Sequence, residues 1–364
     1  MPSSKATSWP LSPIDEHFWI NQQYQNSPST YESDDEFYSE FGFSDIGHDA
    51  FQSPEYEPRR RIIQETVDEN SELVVRPEEN CDTPEESQNG DKSVLNCGPS
   101  DKRTYSVAEY NEMLVQIMDS LFEEILTDNG KMILMHKLPS SSTFQNYLSH
   151  ANNLPNIQLK TASPDERLAL FLNIYNMMTI HITCINGRPR NMWDRRKMMY
   201  CSYYQIEDHR YALHSILDGI LRSNRRGLEM LWKPFGKNDG RLPLILPKFE
   251  PFVHFGLNSC TKSTSFIRPY TCKNVRQELR QNAWDALETD DFVKVDMKRN
   301  VVHLNKIFKW YAKDFGGTEA KVIDWILSTL SDSNSEKKTD LGRIHHLRLL
   351  EIEYIPYDWT FNGK

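Results

Sequence analysis

Residues 166–185 read ERLALFLNIYNMMTIHITCI, a run long and apolar enough to form the core helix of a domain, yet it carries two amides, Asn173 and Asn176, and an imidazole, His181. A helix that is apolar on every face has to be wrapped by protein. Burying an amide or imidazole without partners costs on the order of 1–3 kcal/mol each, so the surrounding fold must supply hydrogen bonds to all three. The boundaries are also written in the chain. Ser163 is an N-cap, Pro164 suits the first helical position, Glu166 completes a capping box, and Asn186-Gly187 matches a left-handed exit. The spacing predicts a helix from about Pro164 to Ile185. On a wheel of 100° per residue Asn173, Asn176 and Ile180 share a stripe, whereas His181 points about 80° away from Asn173. The amides are expected to act together and the histidine apart from them.

The charged entry and the polar residues argue against reading this helix as a membrane span, and the start MPSSKATSWPLSPIDEHF lacks the apolar centre of a secretory signal. The six cysteines, Cys81, Cys97, Cys184, Cys201, Cys260 and Cys272, lie far apart with no Cys-x-x-Cys pair, so neither a zinc site nor a disulfide framework is signalled. The expected compartment is the reducing cytoplasm. Arg59-Arg60-Arg61 leaves the nucleus as an alternative, although such a run is ordinarily just solvated.

Charge divides the chain in two. Between Ala6 and Pro58 there are eleven Asp or Glu and no Lys or Arg, and up to Arg103 there are 22 acids against 8 bases, a net −14. Because the whole chain carries −10, the rest is mildly basic, near +4. Aromatic residues punctuate the acid, among them Trp9, Trp19, Tyr31, Phe37, Tyr38, Phe41 and Phe43. Such composition predicts a disordered acidic and aromatic tail over 1–103, suited to docking on a protein partner, or else a plain spacer. Within it Ser12, Ser27, Ser53 and Thr83 each precede proline, and Ser33 precedes Asp34-Asp35-Glu36, so these five are candidate phosphorylation sites.

The remainder, 104–364, reads as a single helix-rich α+β domain with a small mixed sheet. Ser106 and Glu109 open a helix carrying Leu114, Ile117, Leu121 and Ile125; Tyr211–Arg222 reads as a short amphipathic helix; Leu242–Leu246 and Phe252–Asn258 read as buried strands. Phe292–Val295 and Val301–Leu304 flank MKRN as a hairpin, and two helices follow, the first ending at Gly316-Gly317. Arg188, Arg190, Arg195, Arg196 and Lys197 surround Met192-Trp193 as a basic stretch, either an ordinary solvated loop or a place to hold phosphate or the acidic tail.

Read together, ERLALFLNIYNMMTIH (166–181), YALHSILDGILR (211–222), VHFGLNSCTKSTSFIRPYT (253–271), IFKWYAKDFG (307–316) and YIPYDWTFN (354–362) resemble the domain of unknown function 547 family. The departures from that family bear on chemistry. The family's usual H-F-A-L-N-C-G-A-x-S-C-P implies cysteines at the positions of Ser259 and Thr264 and glycine at that of Cys260. Its usual Glu and His in the 211–222 stretch are replaced by Leu217 and Asp218.

If relatives use a thiol nucleophile, its replacement by Ser259 removes the thiolate, and a scaffold or pseudoenzyme reading follows. The alternative is a cysteine-hydrolase-like enzyme using Cys260 with His254 or His181. Asn173, Asn176, Asn258, Ser259 and Lys262 are the candidate pocket residues, with His254 and Asn258 expected four apart on one strand face. No cofactor or metal is implied, since His345-His346 lacks ligand spacing. Nucleic-acid binding finds little support in a body so weakly basic and without a recognised motif.

Overall fold

The computed structural model describes residues 93–127, 132–227, 232–330, 335–347 and 350–363. The candidate phosphorylation sites Ser12, Ser27, Ser33, Ser53 and Thr83, Cys81 and most of the acidic tail lie outside the described residues. About half the described residues are helical and the sheets are small, an α+β arrangement.

Everything is built around one helix. After a two-residue strand β1 (Tyr105–Ser106) come helix α1 (Val107–Ile125), helix α2 (Ser142–Ala151) and strand β2 (Ile157–Gln158), which pairs in parallel with β1. Helix α3 (Pro164–Asn186) follows, with every side chain from Arg167 to Thr183 buried. Its start is the expected capping box, in which Ser163 accepts from the Glu166 amide while the Glu166 carboxylate accepts from the Ser163 amide. Gly187 ends it at φ 76°, a conformation that favours glycine. By length and composition α3 could cross a membrane, but 89% of its most apolar window is buried inside the domain.

Helix α1 likewise starts on Ser106, which accepts from the Glu109 amide; the Glu109 carboxylate, however, bonds Arg103 instead of closing a reciprocal box. Helix α4 (Met192–Tyr200) is capped by Asn191, and strands β3 (Tyr204–Ile206) and β4 (His209–Tyr211) form a tight antiparallel pair. Beyond them a π-helical segment, Ser215–Leu221, packs on α3. The expected helix over Tyr211–Arg222 is therefore shorter and wider than an ordinary one, with Tyr211 in β4.

Both expected strands at 242–258 are corrected. Leu242–Leu244 is a 3-10 turn with proline near its start, and Val253–Gly256 is a short helix, α5. Short apolar runs suit a buried strand and a buried helical turn equally well, and here Pro243, Pro247 and Pro251 withhold the amide donors a ladder needs. Gly256 lets α5 approach helix α6 (Val275–Leu287), because a Cβ there would sit 2.7 Å from Leu279 Cδ2 and 2.9 Å from the Tyr270 hydroxyl.

The hairpin is as expected: β5 (Val293–Asp296) pairs antiparallel with β6 (Val301–Asn305) in the register Val293 to Leu304. A further strand, β7 (Glu351–Ile355), adds parallel to the other edge of β6, giving the order β5-β6-β7. Helices α7 (Ile307–Trp310), α8 (Glu319–Thr329) and α9 (Glu336–His346) complete the described elements, with Gly316 and Gly317 at positive φ before α8. Residues 93–103, grouped with the tail in the sequence, lie against the domain: buried Asn96 donates to the carbonyls of Ala151 and Gln205, and Leu95 pairs with Tyr203.

Candidate functional site

Two polar centres lie within this core, and both are organised by the segment 253–271 where it crosses α3. The first is neutral. Asn173 holds the far end of the segment, donating to the Tyr270 carbonyl at 2.8 Å and accepting from the Tyr270 amide at 2.9 Å, and it also donates to Asn111 of α1. Asn176, one turn on, donates to the Gly256 carbonyl at 2.9 Å. The two amides therefore share a task, as their common stripe implied, and the task is to brace backbone. Asn282 of α6 reinforces it by donating to the Phe255 carbonyl at 2.8 Å.

Between those braces sits Asn258-Ser259-Cys260. Asn258 lies beyond the end of α5, and its Oδ1 accepts from the Cys260 amide at 2.7 Å, a local turn closed by an amide side chain. Cys260 is held at φ 55°, in the left-handed region. That conformation is the one glycine occupies without steric penalty, which supports matching Cys260 to the family's glycine and leaves Ser259 where a cysteine is expected.

None of the three candidate catalytic groups meets another. The Cys260 sulfur is buried 3.9 Å from the Thr183 hydroxyl, and burial pushes its thiol up to about 12. His181 lies two residues before Thr183 and thus about 160° around the helix. Its Nδ1 meets the Tyr204 hydroxyl at 2.8 Å, and that hydroxyl meets Tyr147 at 2.6 Å. Burial lowers His181 to about 4, so its ring is neutral at physiological pH. His254 points from α5 to Asp314, not along a strand face with Asn258. Ser259 is buried in a hydroxyl chain: its Oγ is 2.8 Å from Thr261 Oγ1, itself 2.9 Å from the Tyr357 hydroxyl, which ties down the C-terminal segment. Thr264 donates to the Thr261 carbonyl, and Lys262 is exposed to solvent, away from the other candidates. The pocket expected from Asn173, Asn176, Asn258, Ser259 and Lys262 is thus a packed brace plus one surface cation.

The second centre is charged, and composition alone gave no sign of it. Arg222, just past the π-helical segment, donates from Nη1 to Asp218 at 2.6 Å and from Nε to Asp314 at 2.7 Å. Arg225 donates to the other Asp314 oxygen at 2.9 Å, and His254 Nε2 lies 2.9 Å from Asp314 Oδ2. Because an ionised carboxylate only accepts, that imidazole nitrogen carries the proton. Tyr311 covers the group, with the Arg222 guanidinium 4.8 Å from its ring and the His254 ring at 4.1 Å.

Burial works to raise the Asp314 carboxyl, but the His254 hydrogen bond and Arg222 outweigh it and hold the group well below the usual carboxylate range. Burial also lowers His254, more than Asp314 raises it, and raises Asp218 against the pull of Arg222. Asp218 stands where the resemblance expects histidine, and its i,i+4 spacing to Arg222 was the readable signal for this pair. Asp314, in the block IFKWYAKDFG, carried no local signal of its partners.

The arrangement can fix two chain segments to each other and hold a neutral imidazole. It does not present a nucleophile to solvent, and no group of three or more metal-ligating side chains is found among the described residues. Two clefts that open to solvent stand out among the described residues, and the second is lined in part by Thr183, whose hydroxyl sits beside Cys260. One, of about 550 Å³, runs between α1 and α2 past Asp101, Gln116, Asn146 and His150; another, of about 420 Å³, lies at the end of α3 between Met135, His136, Cys184, Arg188 and Phe361.

Such a fold defines a helix-centred α+β domain with an inward-facing polar brace. Residues 159–285 match the family model described as Protein of unknown function, DUF547, so the chain resembles that family over α3, the π-helical segment, the Cys260 loop and most of α6. No curated protein matches the chain, and no solved structure does.

Proposed function

We propose that this is a non-catalytic, intracellular binding or scaffold protein, in which the folded domain acts as a rigid platform and the acidic, aromatic tail docks on a protein partner. The observation that carries the non-catalytic part is the state of Cys260: buried, its thiol pushed up to about 12, its sulfur beside Thr183 and neither histidine within hydrogen-bond reach of it. A thiol in that setting is protonated at neutral pH and is a poor nucleophile. The tail reading is supported by composition, since acids keep aromatic side chains solvated until a partner accepts them.

Treatment of the pure native protein with a panel of electrophilic thiol probes, followed by peptide mapping, tests the first part. Exposed Cys97 is expected to label first and Cys260 last. Selective labelling of Cys260 would instead favour the cysteine-hydrolase alternative. For the second part, removal of residues 1–92 is expected to abolish cross-linking to the partner while leaving the melting temperature within a few degrees of the full chain.

A further inference from the structure

Around helix α4 the surface of the domain changes character. Residues 185–197 hold Arg188, Arg190, Arg195, Arg196 and Lys197 against a single acid, Asp194, which is already engaged, accepting from the Arg190 amide at 2.9 Å. Two of the five large apolar side chains exposed among the described residues fall in the same stretch, Ile185 at 56% and Trp193 at 65% exposure. Helical spacing sets Trp193, Arg196 and Lys197 on one outward stripe of α4, while Met198 and Met199 are buried. Arg196 lies 5.8 Å over the Trp193 ring. Arg195 is drawn to the domain instead, donating to the Trp359 carbonyl at 2.7 Å.

An indole left in water forgoes the burial that favours folding, and its exposure amid cations marks a surface made for an outside partner. Arg188, Arg190 and Lys197 are exposed and make no ion pair among the described residues. Arg188 also lines the cleft formed by Met135, Pro139, Cys184 and Phe361, so the cations border apolar surface. A soluble polyanion would match the charge but leave Trp193 and Ile185 in water. An anionic bilayer matches both, because its headgroups neutralise the cations while its interfacial layer takes up indole and aliphatic side chains. Charges act over about 8 Å at physiological salt, so the local surplus on this stretch, and not the net −10 of the chain, sets the attraction.

We propose that α4 and the arginines before it form a contact for the surface of an anionic phospholipid membrane, with Arg188, Arg190 and Lys197 on the headgroups and Trp193 in the interfacial layer. The contact is peripheral, since α3, long and apolar enough to span a bilayer, is wrapped inside the domain. It goes beyond the protein docking proposed above and uses nothing of residues 1–92.

The test is flotation of the purified full chain with phosphatidylcholine vesicles carrying about 30% phosphatidylserine, against vesicles of phosphatidylcholine alone. Binding is expected only with the anionic vesicles and is expected to fall steeply between about 0.1 and 0.5 M salt. Arg188→Glu, Arg190→Glu and Lys197→Glu together are expected to weaken it at least about ten-fold without moving the melting temperature, since all three side chains are exposed. Trp193→Ala is expected to weaken it about five-fold. Lys160→Glu, Lys294→Glu and Lys298→Glu together make the same change in net charge at other exposed positions and are expected to leave binding unchanged. No binding to the anionic vesicles, equal losses in the two triple variants, or binding indifferent to Trp193→Ala would overturn the proposal. So would retention on immobilised heparin by a chain that binds no vesicle, which would make the surface a contact for a soluble polyanion.

Discussion

The Cys260 loop and the Arg222 cluster are both buried, both organised by the same segment and both rich in polar atoms, yet one is neutral and the other charged. Around Cys260 every connection runs through amides, hydroxyls and backbone, with Asn258, Ser259 and Thr261 each closing a short bond. Around Arg222 two guanidiniums, two carboxylates and an imidazole face one another. Neutral bonds can be removed one at a time at modest cost. A buried charge left without its counterpart costs far more, so the charged cluster fixes the relative position of the π-helical segment, α5 and the turn at Asp314.

That contrast ranks the substitutions. Asp314→Ala leaves Arg222, and partly Arg225 and His254, without their shared acceptor, and is expected to destabilise by about 3–5 kcal/mol in urea unfolding. Asp218→Asn is expected to cost less, because Asp218 contacts Arg222 through one oxygen and its other buried oxygen has no hydrogen-bond partner among the described residues. If the two variants proved equal, the cluster would not be centred on Asp314. Next comes Asn173→Ala, which removes both bonds to Tyr270 and is expected to cost about 1–3 kcal/mol by leaving buried backbone groups unpaired.

Acid sharpens the comparison from another side. His181 is lowered to about 4 by burial, below its ordinary 6.5, so the unfolded chain takes up the proton first. Its contribution is complete above pH 6.5 and is lost as the pH falls towards 4, at about 1.4 kcal/mol per pH unit. His181→Gln is expected to flatten the dependence of unfolding free energy on pH by that slope, and an unchanged slope would show the imidazole to be charged in the fold. Ser259→Ala is the smallest change expected, about 0.5–1.5 kcal/mol, since Thr261 and Tyr357 keep their own bond.

Much of this was legible in the chain, and the reasons are specific. The capping box at Ser163, the shared stripe of Asn173 and Asn176, the separate direction of His181 and the β5–β6 hairpin all depend on local spacing, which a sequence displays directly. The strand expected at Phe252–Asn258 failed because apolar content does not distinguish a buried strand from a buried helical turn, and with it failed the pairing of His254 with Asn258. Asp314 was missed for a different reason: it lies 60 residues from His254 and 92 from Arg222, and no local pattern announces a partner at that distance. Cys260 was readable in part, since its place opposite a family glycine agrees with its φ of 55°.

The central claim is that the one cysteine in this loop is a packed, protonated core group. Its most direct test is the alkylation rate of Cys260 in the native protein as a function of pH, with exposed Cys97 in the same sample as the reference. The expected result is negligible native-state labelling through pH 9, with reaction only on unfolding, in keeping with a thiol pushed up to about 12. Rapid labelling at pH 7, with a rate that follows a thiolate already formed, would contradict the account.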